Sequence, residues 1–219
     1  MKRSNDALLH ADQALYLERL ELPRDPLLVE MEALAKEQNF PISDPEVATF
    51  LGVVTKARAP RFVVELGTNI GYGAIVLSRA AGPEAKVLTI EYSPEHCTRA
   101  RAFIGRAGLA SRVEVRQGKA LDVLASIPGG IDLAYVDCVK EEYPAYLDLL
   151  VPRLSERGVI VADNVLWRGH VARGSVPESE RVRTEVLRSF NAALVGHPEL
   201  MAIVLPLGDG VAYAVKRAS

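Results

Sequence analysis

With 219 residues, 49% of them apolar and 25% charged, the chain is long enough for one well-buried α/β core and too short for two comfortable domains. A net charge of -2 and a sequence pI near 6.1 exclude a global basic field, so nucleic-acid binding would need a local basic patch. No run reaches the roughly 18 apolar residues of a membrane span, and Cys97 and Cys138 lack a metal-binding spacing, so we expect a cytoplasmic protein with reduced thiols and no membrane partner.

Helical periodicity marks the amino-terminal part of the chain, over residues 6–58. Apolar residues recur there at the spacing of one helix face, and four prolines divide the stretch into three helices. These prolines are Pro23, Pro26, Pro41 and Pro45. We therefore predict a helical extension over residues 1–58 and a core over residues 59–219, both within a single domain of residues 1–219.

After Pro60, short β-branched runs alternate with helical segments, which is typical of βαβ units and a parallel sheet. The predicted parallel strands are residues 61–66, 86–91, 112–116, 131–137 and 158–163. The predicted helices between them are residues 71–81, 94–107, 120–126 and 141–154. Ser93 is the expected N-cap of the second of these helices, with Pro94 at its first helical position.

The carboxyl-terminal part predicts a long helix over residues 178–195 and two further strands over residues 201–207 and 211–216. Gly208-Asp209-Gly210 joins these strands as a hairpin turn. Seven strands exceed the six of a dinucleotide-binding fold, and a hairpin must be antiparallel. The predicted fold is α/β and Rossmann-like, with a seven-stranded, mostly parallel sheet, an antiparallel C-terminal hairpin and helices on both faces.

A glycine-rich turn from Glu65 to Gly73 closes the first predicted strand and opens the first helix, which lets a ligand approach the backbone. It does not match G-x-G-x-x-G, so an ordinary βα turn is the alternative interpretation. Glu91 ends the next strand, where a carboxylate can accept hydrogen bonds from both hydroxyls of a ribose. These positions share the carboxyl edge of the sheet, which favours a nucleoside cofactor whose base lies beside Gly118-Lys119-Ala120.

Oxygen-bearing side chains end the fourth and fifth predicted strands at that same edge: Asp137, then Asp163 and Asn164. Carboxylate and amide oxygens suit Mg²⁺, and no His or Cys joins this set, which disfavours zinc. A lone strand-end Asp is commonly a helix cap, but three converging oxygens indicate a metal site. Lys140 follows Asp137 by three residues, where a dication would lower its pKa and make it a base for a metal-bound phenol. A surface lysine is the alternative.

Trp167, the only tryptophan, follows the Asp163-Asn164 pair within a loop. Its ring would suit a flat apolar wall against an aromatic substrate, and it would equally suit packing of the loop itself. The sequence leaves both interpretations open. We assign no functional role to the nearby His170.

Together these motifs resemble the Mg²⁺-dependent, S-adenosylmethionine-using class I O-methyltransferases of the catechol and caffeoyl-CoA type, from about Asp44 to the C-terminus. The resemblance rests on Glu65-Leu-Gly-Thr-Asn-Ile-Gly-Tyr72, Asp137-Cys-Val-Lys140 with Tyr143, Gly158-Val-Ile-Val-Ala-Asp-Asn-Val-Leu-Trp167 and Leu207-Gly-Asp-Gly210. It implies a Rossmann-like methyltransferase fold and transfer of a methyl group from the cofactor to a phenolate of a vicinal dihydroxy phenol held on the metal.

The resemblance also implies residue roles. Asp137, Asp163 and Asn164 would hold Mg²⁺, and Lys140 would be the general base. Lys140 and Trp167 would contact the phenolic substrate. The candidate cofactor-binding residues are Glu65, Gly67, Asn69, Gly71, Tyr72, Gly73, Glu91, Tyr92, Gly118, Lys119, Ala120 and Asp137.

Four positions depart from the family pattern. Gly73 stands where the family commonly has a serine that bonds the cofactor carboxylate, and Cys138-Val139 replaces a common Ala-Asp pair. Ile203 falls, by approximate alignment, where the animal catechol enzymes have a substrate-binding glutamate. The catechol substrate of those enzymes therefore does not transfer directly to this chain.

A second resemblance, to bacterial tRNA 5-hydroxyuridine methyltransferases, also includes residues 39–42 and 197–200. It implies tRNA as an alternative partner, with Arg168, Arg173, Arg181 and Arg183 as a local patch for phosphates, although glutamates are interspersed among them. A non-catalytic nucleoside-binding module is a third hypothesis, supported only by Gly73. The family resemblance further implies a homodimer, for which the N-terminal helices are the candidate contact.

Overall fold

The computed structural model describes residues 11–20 and 25–218, and the chain divides into two units between Asn39 and Phe40. The smaller unit holds helices α1 (Ala11–Arg19) and α2 (Pro26–Gln38). The Asp25 carboxylate caps α2 by accepting hydrogen bonds from two backbone N–H groups of its first turn. Asn39 ends α2 in the left-handed conformation, with φ +55°. The predicted helix start at residue 6 and the break at Pro23 lie outside the described residues.

The larger unit contains the rest of the described helices and all the described strands. The helices are α3 (Pro45–Arg58), α4 (Tyr72–Ala81), α5 (Pro94–Arg106), α6 (Ala120–Ser126), α7 (Tyr143–Leu150) and α8 (Glu178–Gly196). The strands are β1 (Phe62–Leu66), β2 (Lys86–Glu91), β3 (Val113–Gln117), β4 (Ile131–Val136), β5 (Leu154–Ala162), β6 (Leu200–Leu205) and β7 (Val211–Lys216). Helix α3, predicted as part of the N-terminal extension, thus belongs with the sheet. The single-domain organisation stays a prediction.

The strands form one seven-stranded sheet in the order β3-β2-β1-β4-β5-β7-β6. Strands β1 to β5 pair in parallel, and β7 is antiparallel to both β5 and β6. The chain crosses from β1 towards β3 in one direction and later towards β5 in the other, so right-handed crossovers place α4 and α5 on one face and α6 and α7 on the opposite face. The predicted fold is confirmed. The reversal between β1 and β4 opens a crevice at their carboxyl ends.

The central strands are buried on both faces, which is why they are nearly continuous apolar runs in the sequence. Strands β1, β4 and β5 contribute Leu66, Val136 and Ile160 to one cluster, and helices α7 and α8 add Tyr146 and Phe190. Because the middle of the sheet is covered on both sides, ligands can reach it only at the strand ends.

The predicted helix over residues 141–154 is wrong at both ends. The structure has a 3₁₀ turn at Lys140–Glu142, α7 over Tyr143–Leu150 and a second 3₁₀ turn at Val151–Arg153, after which β5 begins. Pro152 has no backbone N–H for the α-helical ladder, which ends α7 before it. Strand β5 therefore starts four residues before the predicted residue 158. The other predicted boundaries from residue 61 to residue 216 agree within two residues.

One carboxylate fastens the amino edge of the sheet. Asp132 Oδ2 accepts hydrogen bonds from the backbone N–H of Arg61 at 2.8 Å and of Phe62 at 3.1 Å. Asp132 Oδ1 accepts from the Ser155 hydroxyl at 2.6 Å and from the Arg58 guanidinium at 2.9 Å. Burial alone would raise the pKa of Asp132, but the hydrogen bonds and Arg58 hold it below its ordinary value. This cluster ties α3 and β1 to β4 and β5.

Both cysteines are free thiols, as predicted, with Cys97 buried and Cys138 half-buried. Within residues 11–20 and 25–218, no helix combines the length and the apolar composition that crossing a membrane requires.

Candidate active site

A cavity of about 800 Å³ lies at the carboxyl ends of β1, β2, β4 and β5. Most of the residues predicted from the sequence line it: Gly67, Asn69, Glu91, Tyr92, Gly118, Lys119, Ala120, Asp137, Lys140, Asp163, Asn164 and Trp167. The sequence also missed several lining residues: Pro41, Ile42, Asp44, His96, Cys138, Glu142, Tyr146 and Arg183. The edge of the sheet that the sequence indicated is therefore where the structure brings the candidate groups together.

Four predicted cofactor residues do not line this cavity. Glu65, Gly71, Tyr72 and Gly73 form the buried base of the glycine-rich turn, because they belong to the interior side of β1 and the first turn of α4. Glu65 accepts a hydrogen bond from the Thr89 hydroxyl, and its burial raises its pKa to about 8. A contact between any of these four residues and a cofactor stays a prediction.

Two glycines lie at close approaches, Gly67 to backbone and Gly73 to the end of a side chain. At Gly67, with φ +100°, an added Cβ would lie 2.1 Å from the Asp137 carbonyl oxygen, so only glycine lets the ends of β1 and β4 meet. At Gly73, an added Cβ would lie 2.1 Å from Glu65 Oε1. The Glu65 carboxyl group thus occupies the space that a serine side chain at position 73 would need.

Asn69 sits at the centre of the turn, in a left-handed conformation with φ +47°. Its backbone N–H donates to Glu91 Oε2 at 2.9 Å, and its Nδ2 donates to the Pro41 carbonyl at 2.6 Å. Its buried Oδ1 has no hydrogen-bond partner among the described residues. A buried acceptor without a partner at a cavity wall suits a ligand that carries a hydrogen-bond donor, such as an ammonium group.

Glu91 ends β2 with both carboxylate oxygens held in place. Oε2 accepts from the Asn69 N–H, and Oε1 accepts from the Ser93 N–H at 2.9 Å. Each oxygen keeps a second lone pair, so a diol can add two further hydrogen bonds. The geometry fits the predicted contact with the two ribose hydroxyls.

Lys140 lies inside the cavity wall and is only 7% exposed. Its Nζ donates to Asp137 Oδ1 at 2.7 Å and to the Tyr143 hydroxyl at 2.9 Å, while that hydroxyl donates to the Asp163 carbonyl at 2.9 Å. Burial lowers the pKa of Lys140, but Tyr143 and Asp137 raise it more, so the pKa is well above its ordinary value. With these partners alone, Lys140 is an ammonium donor rather than the base of lowered pKa expected from the sequence.

Asp163 is 2% exposed and lies near the Asp137 carboxylate. Its Oδ1 accepts from the Asn164 N–H at 2.7 Å, and its Oδ2 accepts from the Tyr135 hydroxyl at 3.2 Å. Burial and the neighbouring Asp137 charge raise the pKa of Asp163 to about 7. Two carboxylates that repel each other in a buried wall are stabilised by a cation between them.

The donor set therefore fits the predicted hard divalent cation: two carboxylates and the amide of Asn164, all at one end of the cavity. A cluster of three or more His, Cys, Asp or Glu side chains suited to a metal ion does not occur in the part of the chain that the structure describes. The predicted set is consistent with this, since one of its three members is an amide.

Trp167 forms a wall at the cavity mouth. Its indole N–H donates to Glu180 Oε2 at 2.8 Å, and the guanidinium groups of Arg168 and Arg183 lie 5.8 and 5.6 Å from its ring centroid. Trp167 and Arg168 have positive φ values of +47° and +53°. Trp167 therefore does both things that the sequence left open. Its indole N–H is bonded within the protein, and its side chain also lines the cavity.

The C-terminal hairpin holds the loop that carries Trp167. The Asp209 side chain accepts from the backbone N–H of Arg168 at 2.5 Å, and the Asp209 carbonyl accepts from the N–H of Leu166 at 3.0 Å. At Gly210, with φ +88°, an added Cβ would lie 2.3 Å from a side-chain atom of Leu166. The tight Gly208-Asp209-Gly210 turn is thus packed directly against the loop.

A segment that precedes the sheet, residues 40–44, closes one side of the cavity through Pro41, Ile42 and Asp44. The Asn69 side chain holds the Pro41 carbonyl, and the Phe40 ring packs edge-on against His96 with centroids 5.6 Å apart. Strand-end reasoning missed this segment because it belongs to no strand. The only signal for it was the resemblance of residues 39–42 to the tRNA-modifying enzymes.

The cavity has an acidic lining. Six acidic side chains and three strongly basic ones border it: Asp44, Glu91, Asp137, Glu141, Glu142 and Asp163, against Lys119, Lys140 and Arg183. Such a lining favours cationic ligands, including a sulfonium and a divalent cation, and disfavours a polyanion.

Comparison with known proteins agrees with this site. Residues 24–217 match the model of the O-methyltransferase family. The chain is 35% identical over 215 residues to a catechol O-methyltransferase of Mycobacterium tuberculosis, covering 94% of this chain and 96% of that protein. It is 30% identical over 220 residues to a caffeoyl-CoA O-methyltransferase of Mesembryanthemum crystallinum, covering 94% and 86%.

A solved structure is similar as well. The O-methyltransferase of Bacillus cereus, in complex with SAH, superposes with a TM-score of 0.83 at 30% identity, covering 93% of this chain and 96% of that chain. The chain therefore belongs to the O-methyltransferase family, the S-adenosylmethionine-dependent class I enzymes that its sequence motifs resemble.

Proposed function

We propose that the protein transfers the methyl group of S-adenosylmethionine to one hydroxyl of a small catechol-type phenol and that it requires Mg²⁺. The observation that carries this proposal is the grouping of Asp137, Asp163, Asn164 and Lys140 at one end of a cavity whose other end holds Glu91. The names of the two curated relatives, a catechol and a caffeoyl-CoA O-methyltransferase, support a phenolic acceptor.

The cofactor would lie along the carboxyl ends of β1 to β3. Glu91 would accept hydrogen bonds from its ribose hydroxyls, and the unpartnered Oδ1 of Asn69 would accept from its ammonium group. Gly118, Lys119 and Ala120 would border the adenine. The acidic lining favours the positive sulfonium over the neutral thioether product, which assists product release.

Asp137, Asp163 and Asn164 would hold Mg²⁺. The cation supplies charge that acidifies a bound phenol and fixes the two neighbouring oxygens of the acceptor. With Asp137 engaged by a cation, the pKa of Lys140 would fall from the raised value set by Tyr143 and Asp137. Lys140 would first release its ammonium proton to solvent, and the neutral Nζ would then accept the phenol proton.

The methyl group moves from sulfur to the phenolate oxygen in line, with the carbon–sulfur bond breaking as the carbon–oxygen bond forms. Trp167 would hold the acceptor ring flat at the mouth, and the 40–44 segment would exclude water from the side. Positioning and charge complementarity supply most of the rate enhancement in such a transfer.

The tRNA alternative has weaker support. Two of the four arginines of its predicted patch are neutralised by glutamates: Arg181 pairs with Glu178 at 2.6 Å, and Arg183 pairs with Glu141 at 2.8 Å. The acidic lining also disfavours a phosphate backbone near the site. The homodimer and the cytoplasmic location stay predictions.

The proposal is tested by incubating the purified protein with S-adenosylmethionine and a panel of vicinal dihydroxy phenols, and in parallel with hypomodified tRNA, each with Mg²⁺ and with EDTA. We expect methylated phenol only with Mg²⁺, and no methylation of monohydroxy phenols. Transfer that survives EDTA would contradict the metal requirement. If tRNA is methylated and no phenol is, the methyl acceptor is tRNA and the proposed phenolic substrate is wrong.

A further inference from the structure

A buried hydrogen-bond chain connects the 40–44 segment to a proposed metal ligand. The Ser43 and Tyr135 hydroxyl oxygens are 2.8 Å apart, and the Tyr135 hydroxyl donates to Asp163 Oδ2 at 3.2 Å. Ser43 is 7% exposed and Tyr135 is 1% exposed, so bulk water does not compete for these groups. We propose that Tyr135, supported by Ser43, positions the Asp163 carboxylate for binding a divalent cation and thereby couples the 40–44 segment to that binding. This inference rests on the proposed Mg²⁺ dependence.

The direction of the chain follows from the donors available. The ionised Asp163 carboxylate, the form that binds a cation, only accepts hydrogen bonds. In that form Tyr135 gives its single proton to Asp163, and the Ser43 hydroxyl donates to Tyr135. The pKa of Tyr135 is well above its ordinary value because of burial and the nearby Asp137 and Asp163 charges. In the structure the Tyr135 hydroxyl is the group that donates to Asp163.

The Asp163 carboxylate is held on both oxygens. Oδ1 accepts from the Asn164 backbone N–H and Oδ2 accepts from Tyr135, so rotation about the terminal torsion would break both bonds. That torsion is otherwise broad for aspartate. Removing the Tyr135 hydroxyl would leave the Asn164 N–H as the one remaining donor to this carboxylate within residues 11–20 and 25–218. Groups that orient metal ligands in this way typically change metal affinity by about 10- to 100-fold when removed.

The chain also links two walls of the cavity. Ser43 is the buried member of the 40–44 segment, whose neighbours Pro41, Ile42 and Asp44 line the cavity. The segment is fastened on its other side by the hydrogen bond from Asn69 to the Pro41 carbonyl. If fixing Asp163 favours cation binding, cation binding favours the seated segment by the same free energy.

The test compares full-length wild type with Tyr135→Phe, Ser43→Ala and the double variant, and with Tyr213→Phe as a matched control. Tyr213 lies on β7, pairs with Val161 and packs against the Phe50 ring, and it does not line the cavity. Tyr213→Phe therefore removes a phenol hydroxyl from the same sheet without removing a group from the cavity lining. Binding of Mg²⁺ is measured by calorimetry, and binding of Mn²⁺ by electron paramagnetic resonance.

We expect Tyr135→Phe to raise the Kd for both cations by about 10-fold or more and Ser43→Ala to raise it less. The double variant should resemble Tyr135→Phe, because Ser43 acts through Tyr135. Tyr213→Phe should match wild type. At saturating Mg²⁺ the kcat of Tyr135→Phe should recover, which a general loss of folding would not allow.

A second readout does not depend on turnover. Hydrogen exchange of the peptide containing residues 40–44 should slow on addition of Mg²⁺ in wild type and much less in Tyr135→Phe. Unchanged cation affinity in Tyr135→Phe would overturn the inference while leaving the proposed function intact. Failure of wild type to bind either cation would instead remove the proposed metal requirement, and this inference with it. If Tyr135→Phe does not fold, the inference is tested with Ser43→Ala, which keeps the Tyr135 ring in the core. The same measurements of cation affinity and hydrogen exchange then decide.

Discussion

The Lys140 ammonium touches one carboxylate and one phenol, and its proton must leave before it can act as a base. We expect Lys140→Met to lower kcat by about 100- to 10,000-fold, the range typical of a lost general base. Lys140→Arg is the control that keeps a positive charge, and it should be equally slow because a guanidinium does not give up its proton at neutral pH. Single-turnover methyl transfer measures the effect, with binding of S-adenosylhomocysteine as the check on folding. A near-normal rate in Lys140→Met would assign proton transfer elsewhere.

Glu65 makes stability fall as pH rises. Its folded pKa of about 8 exceeds the ordinary value of 4.5, so the folded state holds a proton that the unfolded state has released between these values. Stability from this group is therefore full below about pH 4.5 and declines up to about pH 8, by roughly 5 kcal/mol at most. Glu65→Gln should remove the decline and be more stable than wild type at pH 8. Urea unfolding at several pH values measures this, and parallel pH curves for the two proteins would contradict it.

At this scale the sequence predicted positions but not contacts. The sequence placed Asp137 and Lys140 at the same strand end, and the structure shows an ion pair between them at 2.7 Å. The sequence could not show that Tyr143 shares the Lys140 ammonium, because the 3₁₀ turn between them was expected to be α-helix. Nor could it show that Gly73 accommodates the Glu65 carboxyl group, since that depends on the packing of α4 on β1.

Among the elements, the junction of α3, β1, β4 and β5 depends on Asp132, which accepts four hydrogen bonds. We expect Asp132→Ala to destabilise the protein by about 2–3 kcal/mol, since two backbone N–H groups and Arg58 lose a charged partner. Asp132→Asn keeps the shape and should cost less. Urea unfolding measures both. Because Asp132 lies at the amino edge of the sheet, kcat at low temperature should be unchanged, and a catalytic defect without a stability defect would contradict this assignment.

Strands were more predictable than the turns between them. Runs such as β4 are largely apolar because both faces are covered, so their positions follow closely from composition. The helix after β4 could not be delimited, because Pro152 ends α7 while Leu154 already pairs with Ile131. The left-handed residues at Trp167 and Arg168 left no signal, since neither residue type favours that conformation.

For the whole molecule, we expect bound ligands to raise the free energy of unfolding, and we expect the effect of the phenol to depend on Mg²⁺. S-adenosylhomocysteine at a hundred times its Kd should raise the free energy of unfolding by about 2.7 kcal/mol by mass action. A vicinal dihydroxy phenol should add stability only when Mg²⁺ is also present, because its two oxygens would bind the cation. Thermal unfolding with each combination measures this, with a monohydroxy phenol as the control. Stabilisation by the phenol in EDTA would contradict metal-mediated binding.

The overall topology was predictable and the closed cavity was not. Alternation of strands and helices indicates a parallel sheet, and its carboxyl edge then follows from general rules. The 40–44 segment closes the cavity through Asn69 and Tyr135, which are 28 and 92 residues from its contacts along the chain. Such distant pairs carry no local pattern, so only the folded molecule reveals them.

The hairpin that ends the chain contributes no residue to the cavity surface, yet its turn clasps the loop behind Trp167 through Asp209 and Gly210. A change in the Gly208-Asp209-Gly210 turn would therefore reach the cavity wall without replacing any residue that lines it. Its effect would pass through the backbone of Val165 and Leu166, which bond to Gly210 and Asp209, to the indole that follows them.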